Sequence, residues 1–547
     1  MRSRPRLGRS GALALALLAC GGAAVAAEAP RLTTVTRATA EDLAPARTYT
    51  SPYLIVDPDD DSVVLGAAGE LRSRTCRLLR SNDAGQTWKL LDAVPSPASY
   101  PFCTTSSGML TQTPLAFGRN RTLYYAMSGW DTQDGGPNGN VSVVLAQSAD
   151  LGENWTSSIV RDARGKSGPQ TENHSAVASL AVDTKTAKDD IVYVGWRASY
   201  PFAPPFPGGL RAHRPPLIAV STDAGKTFSD PVDVSSFHKK TSKGPDGSDL
   251  PLGMGFTAPS IAVDDAGALY VLYPAASAAA FPPTSAPAAL PMLLAKSTDR
   301  GKTFTFTEVG KPLTHNEGVQ VLRWSPQGGS QGTLHMIFED KPDQTAQSAD
   351  RDIYYQRSTD GGKTFTDPRK LNDDDPRELR VQVTPNLTVA PDGRIDAVWW
   401  DFRNDPGTFV NDVYATSSTD NGETWSTNLR ITDRSVNRKL GVWSNGYDIR
   451  QPPGLASTNS LAVMAWDDTR LGNQITETQD IFARDVQFKA LGTSDAPARY
   501  VLAAFAGLAV VGVVLLVATG WRRRSELPPQ PASNPQQAAT DAQQGPR

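Results

Sequence analysis

One octet recurs six times along the chain: Ser81–Trp88 (SNDAGQTW), Ser148–Trp155 (SADLGENW), Ser221–Phe228 (STDAGKTF), Ser297–Phe304 (STDRGKTF), Ser358–Phe365 (STDGGKTF) and Ser418–Trp425 (STDNGETW). The starts lie 60–76 residues apart, so the chain repeats one structural unit, and that repeat limits the fold more than any other feature. Each octet follows a short strand-like run, such as SVVLAQ before Ser148 or DVYATS before Ser418. The pattern Ser-x-Asp-x-Gly-x-Thr/Asn-aromatic reads as a hairpin turn. Ser and Asp oxygens accept hydrogen bonds from turn amides, and Gly supplies a left-handed backbone. The aromatic opens the returning strand, where its ring packs on a neighbouring sheet. The carboxylates of Asp83, Asp150, Asp223, Asp299, Asp360 and Asp420 are therefore read as structural, because the turn itself consumes them.

Two further strand-like runs precede each octet. In the sixth unit they are 386–390 and 394–400, joined by Pro391-Asp392-Gly393; in the fourth they are 260–263 and 268–273. With the octet hairpin these make four antiparallel strands, which is one propeller blade. A seventh unit lacks the octet but keeps 460–466 and Asp480-Ile481-Phe482-Ala483-Arg484, with Asp480 aligned to Asp352 and Asp412. It ends before its fourth strand, which the early run 31–36 can supply. Such closure removes two exposed sheet edges. The expected fold is all-β: a seven-bladed propeller of four-stranded blades, six-bladed if the last unit is degenerate. The 45 glycines and 42 prolines suit a chain of many tight turns.

The octets resemble the Asp-box, or bacterial neuraminidase, repeats of the sialidase superfamily over about residues 50–488. That resemblance implies the propeller fold. The same repeat also resembles that of receptors, plant photosystem factors and other glycosidases, so it implies no one activity. The superfamily's enzymes use three arginines on a substrate carboxylate, a Tyr–Glu nucleophile and an Asp acid. The first arginine normally stands in an Arg-Ile-Pro motif on the first blade's inner strand. Here that stretch reads Ser51-Pro52-Tyr53-Leu54-Ile55-Val56, without arginine, which counts against sialidase activity.

Antiparallel connectivity puts the octet turns and the turns between strands one and two on one rim. Connections from strand two to three, and from blade to blade, fall on the other. The second set varies widely in length (197–216, 275–291, 341–351, 467–479), which suggests that this rim carries function. Related clusters end strand two there: Trp399-Trp400-Asp401-Phe402-Arg403, Trp466-Asp467-Asp468-Thr469-Arg470, Phe338-Glu339-Asp340 and Trp196-Arg197. As ligand groups, Trp196, Trp400 and Trp466 would cover apolar sugar faces, and Arg197, Arg403 and Arg470 would grip a carboxylate. Glu339, Asp340, Asp401 and Asp468 would supply a catalytic carboxylate pair if the chain is a glycosidase. The competing reading is a structural Asp–Arg tie repeated with the blade. Glu172 with His174, His315 with Glu317, and Asp448 with Arg450 are further loop candidates. No cluster has zinc-like spacing, and no cofactor is expected. The acidic run 57–61 suits a solvated turn better than a calcium site.

Both chain ends carry targeting signals. Arg2, Arg4, Arg6 and Arg9, the apolar stretch 12–19 and Ala24-Val25-Ala26 read as a secretory signal over residues 1–27. Leu17-Leu18-Ala19-Cys20 also resembles a bacterial lipoprotein cleavage motif, with Leu18 a poor fit. The uncharged segment 500–521, followed by Arg522-Arg523-Arg524, reads as one transmembrane helix with the arginines inside the cell. A linker (491–499) would join it to the propeller domain (28–490), and a disordered tail (522–547) would follow it. After signal removal Cys76 and Cys103 remain, an even pair outside the cell, so a disulfide is expected. The net charge of −3 gives no reason to expect nucleic acid.

Two functions are compatible with these observations. The first is a membrane-anchored recognition module displaying its variable rim to a glycan or cell-surface protein. The second is an extracellular exo-glycosidase.

Overall fold

The computed structural model describes residues 30–39, 47–104, 114–132, 141–162, 179–198, 200–201, 212–243, 249–254, 258–276, 290–313, 319–341, 351–375, 380–405, 407, 409–441 and 451–488. The signal, lipoprotein motif, linker, transmembrane span and tail expected from the sequence lie outside these residues. Among the described residues no helix is long and apolar enough to cross a membrane.

The octet turn is built the same way six times. In the fourth, Ser297 Oγ accepts from the Gly301 amide at 2.8 Å and donates to Asp299 Oδ1 at 2.8 Å. Asp299 in turn accepts from the Thr303 amide at 2.9 Å and the Thr303 hydroxyl at 2.6 Å. Hydrogen bonds from the Thr303 hydroxyl and amide and from Ser297 lower its pKa to about 2. Two successive residues are left-handed, not the glycine alone: Leu151 and Gly152 have φ of 58° and 95°, Asn421 and Gly422 of 59° and 85°. Each octet glycine also faces the preceding blade. A Cβ at Gly152 would lie 2.4 Å from Leu78, and one at Gly422 2.4 Å from the Tyr355 hydroxyl. The turn thus sets both the hairpin and the blade spacing.

Seven sheets result. Blade 1 is Tyr49–Asp57, Asp60–Glu70, Thr75–Ser81 and Lys89–Ala93. Blade 2 is Leu115–Phe117, Leu123–Trp130, Val141–Ser148 and Thr156–Arg161, with Phe102–Thr104 extending its inner edge. Blade 3 is Ser179–Asp183, Ile191–Arg197, Pro216–Ser221 and Val232–Asp233. Blade 4 is Ser260–Val263, Leu269–Ala276, Leu290–Ser297 and Thr305–Leu313, with Gly253–Met254 at its inner edge. Blades 5 and 6 are Gln320–Ser325, Thr333–Asp340, Asp352–Ser358, Arg369–Lys370 and Gln382–Val389, Ile395–Asp401, Val410–Ser418, Leu429–Arg430. Blade 7 is Gly454–Ser457, Leu461–Asp468 and Asp480–Gln487, completed by Arg31–Leu32 and Thr36–Arg37 from the other end of the chain.

The inner strands touch in a circle, each against the next and the seventh against the first. The apolar core is divided accordingly into seven clusters, one at each blade interface. Strands in such a ring are covered on both faces, which is why their runs are apolar with little alternation. The ring has seven blades, and the six-bladed alternative falls because residues 454–487 form a full sheet. The closing segment reaches further than the expected 31–36, since Arg37 and Thr39 both bond Asp480 Oδ1 at 2.8 Å.

Register confirms the two rims. Ile395 pairs with Ser418 beside the octet, while Asp401 pairs with Asp412 at the opposite end of the same strands.

Candidate functional site

The strand-two clusters of blades 6 and 7 occupy equivalent places on the loop-bearing rim. Trp399 Nε1 donates to Asp401 Oδ2 at 2.9 Å; the Arg403 amide donates to Asp401 Oδ1 and its Nη2 to Oδ2, both at 2.8 Å. Trp466, Asp468 and Arg470 repeat this at 3.0, 2.8 and 2.7 Å. Each arginine stacks on the facing strand, Arg403 4.1 Å from the Tyr414 ring centre and Arg470 4.2 Å from that of Phe482. Each then reaches the end of the preceding blade: Arg403 to Asp373 at 2.7 Å, Arg470 to Asp433 at 2.7 Å. The unit is a clasp from blade to blade.

Behind the clasp stands a second carboxylate. Asp401 pairs with Asp412, Asp468 with Asp480 and Asp340 with Asp352 across adjacent strands. Like charges so close need separate counter-ions. The outer member of each pair takes a cation and a polar group from its own blade's outermost strand: Lys370 and Asn372 on Asp352, Arg430 and Thr432 on Asp412, Arg37 and Thr39 on Asp480. A further tie crosses blades 6 and 7. Arg438 lies 4.2 Å from the Trp400 ring centre and 2.7 Å from Asp467, which also accepts from Gln479.

The residues proposed as ligand groups are therefore enclosed. Trp196, Trp400 and Trp466 are fully buried, as is Arg197. Burial, with Arg214 alongside, draws the Arg197 pKa down to about 9. The side chains of Arg403 and Arg470 are 15% and 6% exposed. Asp401 and Asp468 accept hydrogen bonds on both oxygens and so act as loop anchors in this arrangement. In blades 6 and 7 the structure bonds these acids and arginines to each other.

Glu339 differs. It takes the place that Trp400 has in blade 6, buried between blades 5 and 6, and accepts from the Thr384 amide. Burial pushes its carboxyl above the usual range, against the pull of Arg351 at 3.6 Å. Thr384 is held at φ 50° in a bulge just before Pro385, and Ser51 at φ 61° stands likewise before Pro52 in blade 1. Left-handed backbone at such residues is strained and marks the inner mouth of the ring on this rim.

Glu172, His174, His315, Glu317, Asp448 and Arg450 lie outside the described residues. Cys76 and Cys103 are joined by a disulfide with Cα atoms 5.6 Å apart, tying blade 1 to the first segment of blade 2 on the loop-bearing rim. In the acidic turn, Asp57 is paired with Arg121, and Asp60 accepts from the Ser62 amide and hydroxyl. Among the described residues no group of three His, Cys, Asp or Glu is placed to hold a metal ion.

Glu70 was not singled out by sequence reasoning, though Glu70-Leu71-Arg72 has the same acid-x-Arg spacing as the clasps. It anchors the blade 1 loop by accepting from the Thr48, Arg72 and Ser73 amides. Asp373 and Asp433 also escaped notice. Their signal was the shared pattern of Lys370-Leu371-Asn372-Asp373 and Arg430-Ile431-Thr432-Asp433.

Neither a protein-family profile nor a curated relative matches the sequence. Among solved structures the chain is similar to a Penicillium chrysogenum alpha-L-arabinanase complexed with arabinobiose, at 16% identity over 68% of this chain and 94% of that one, with a TM-score of 0.38. It is similar also to a Hadza microbial sialidase, at 14% identity over 78% of this chain and 74% of that one (TM-score 0.40). A Dyadobacter fermentans protein of unknown function shares 14% identity over 84% of this chain and 99% of that one (TM-score 0.42). The octets, the four-stranded blades and the closed ring of seven make the fold itself a sialidase-like propeller.

Proposed function

We propose that the chain is an exported, membrane-tethered propeller whose loop-bearing rim recognises a glycan or another cell-surface protein. The observation that carries this reading is the clasp. The conspicuous acids, arginines and tryptophans of that rim are bonded to one another from blade to blade, fixing the bases from which the long, unequal connections emerge. A rigid ring presenting variable loops is a common arrangement for recognition. The tether rests on the apolar segment 500–521 and the arginines after it, and export on the N-terminal signal.

The test is the soluble 28–498 fragment, applied to a glycan array and to a panel of fluorogenic glycosides. Binding without turnover is the expected result. The absence of both glycan binding and capture of a surface protein would sink the proposal.

One observation favours the second reading, an exo-glycosidase. Glu339 is an acid with its pKa raised by burial at the inner mouth of the same rim, a state suited to proton donation. Turnover of any glycoside by the fragment, abolished by Glu339→Gln, would establish that reading instead.

A further inference from the structure

The octet rim is not featureless at its centre. A cavity of about 290 Å³ opens there into the axis of the ring, walled by blades 1, 5, 6 and 7. Its volume equals that of about ten water molecules, enough for one sugar-sized molecule. The first hairpin of blade 5, Ser325–Thr333, is one of the longer turns of this rim. The Trp324 indole beside it walls both this cavity and a second groove toward Lys296 and Asp264. The Trp324 Nε1 donates to Gln331 O at 3.1 Å, which fixes the ring.

Arg323 lines the cavity. Its Nη1 donates to Leu322 O at 2.9 Å and its Nη2 to Asn386 Oδ1 at 3.3 Å. Among the described residues no carboxylate forms an ion pair with it. Arg394, Arg438 and Arg470 are by contrast each paired with an acid: Arg394 with Asp396, Arg438 with Asp467 and Arg470 with Asp468. Arg323 is half-buried at the wall of the cavity, and a guanidinium partly withdrawn from water gains from an anion, so the place beside it is open to one. Burial holds Arg323 below its ordinary pKa, which fits this isolation. Opposite, Tyr53 lines the same cavity, and its hydroxyl has no hydrogen-bond partner among the described residues. Burial raises the Tyr53 pKa, keeping the phenol neutral and able to donate. At the mouth stands the exposed Asp61, while the charge of Asp57 is met by Arg121. A polyanion would meet that acidic lip, whereas a single carboxylate seated inside avoids it.

We infer that the axial cavity of the octet rim is a second ligand site, taking a small monocarboxylate with a sugar-like ring. Arg323 binds the carboxylate, Tyr53 donates a hydrogen bond to it, and Trp324 covers the ring face. The site stands on the rim opposite the one proposed for recognition, so its failure leaves that reading intact.

The experiment titrates purified full-length protein with glucuronate, with glucose and inorganic phosphate as controls, reading tryptophan fluorescence and the thermal midpoint. Glucuronate is expected to bind saturably with a Kd of about 1 mM or tighter. Glucose and phosphate are expected to bind at least about tenfold more weakly, since neither matches both the carboxylate and the ring. Arg323→Gln loses at least about tenfold in glucuronate affinity, while its unliganded midpoint stays level or rises because an unpaired charge has been removed. Tyr53→Phe loses roughly two- to fivefold and decides the matter should Arg323→Gln not fold. Absence of saturable glucuronate binding overturns the inference. So do affinity unchanged in both variants, phosphate binding as tight as glucuronate, or a lowered unliganded midpoint in Arg323→Gln, which would make the arginine structural.

Discussion

The two rims of the ring use aspartate in opposite ways. On the octet rim Asp420 is exposed and bonded within its own turn, to the Ser418 hydroxyl and to the Thr424 amide and hydroxyl. On the loop-bearing rim Asp468 is buried and bonded outward, through Arg470, to the preceding blade. The first kind is local and cheap to lose, because water waits to replace the turn's bonds. The second holds a buried charge, so its loss leaves Arg470 with Asp433 alone. One rim repeats a self-sufficient turn; the other is stitched together around the ring.

That contrast gives an order of effects. Asp468→Ala should destabilise by about 3–5 kcal/mol, read from urea unfolding, because Arg470 remains buried with only Asp433 near it. A cost under about 1 kcal/mol would show that the clasp carries no more than an octet turn does. Reducing the Cys76–Cys103 bridge, which closes 27 residues on the same rim, should lower stability by about 3.5 kcal/mol if chain entropy dominates. An unchanged unfolding midpoint in reductant would mean that other contacts already fix this rim between blades 1 and 2.

The octet rim should be most sensitive where blades meet. Gly422→Ala combines a left-handed backbone with a methyl group 2.4 Å from the Tyr355 hydroxyl, and should cost about 1–3 kcal/mol. Asp420→Ala, by contrast, should cost only about 1 kcal/mol, the usual loss for a side chain satisfying turn amides. The smallest effect is in acid. A carboxylate whose folded pKa lies below its unfolded value stabilises fully above about pH 4 and loses that contribution as pH falls through the folded pKa. With Asp150, Asp223 and Asp299 drawn to about 2, the thermal midpoint should slope downward between about pH 4 and 2. The slope should flatten measurably when several octet aspartates are replaced by asparagine.

Much of this was legible in the sequence because the octet carries its own geometry. Ser, Asp and Gly at fixed spacing specify one turn, and six such turns specify the repeat. The closing strand was legible as a strand, but its end was not. Arg37-Ala38-Thr39 shows its role only beside Lys370-Leu371-Asn372 and Arg430-Ile431-Thr432, where a cation and a polar group flank an apolar residue to serve a buried aspartate. The clasps were visible as clusters of tryptophan, acid and arginine. Whether they faced a ligand or one another was not, because strands covered on both faces have no alternation to mark an outside. Arg323 gave no sign at all. Its isolation depends on what three other blades place around it, and no local pattern records that.

The seventh blade carries a consequence in time. The Thr33 amide donates to Asp485 O at 3.2 Å across 452 residues of chain, so the first strand made is the last to find its partner. During synthesis from the amino terminus, six blades can pair internally while this segment waits with its edge unmatched. Contacts so distant make for slow completion and a long exposure to wrong partners. A truncation that removes residues 30–39 would leave the finished molecule in that same waiting condition, an open arc with two sticky ends, and light scattering during refolding should register the difference at once.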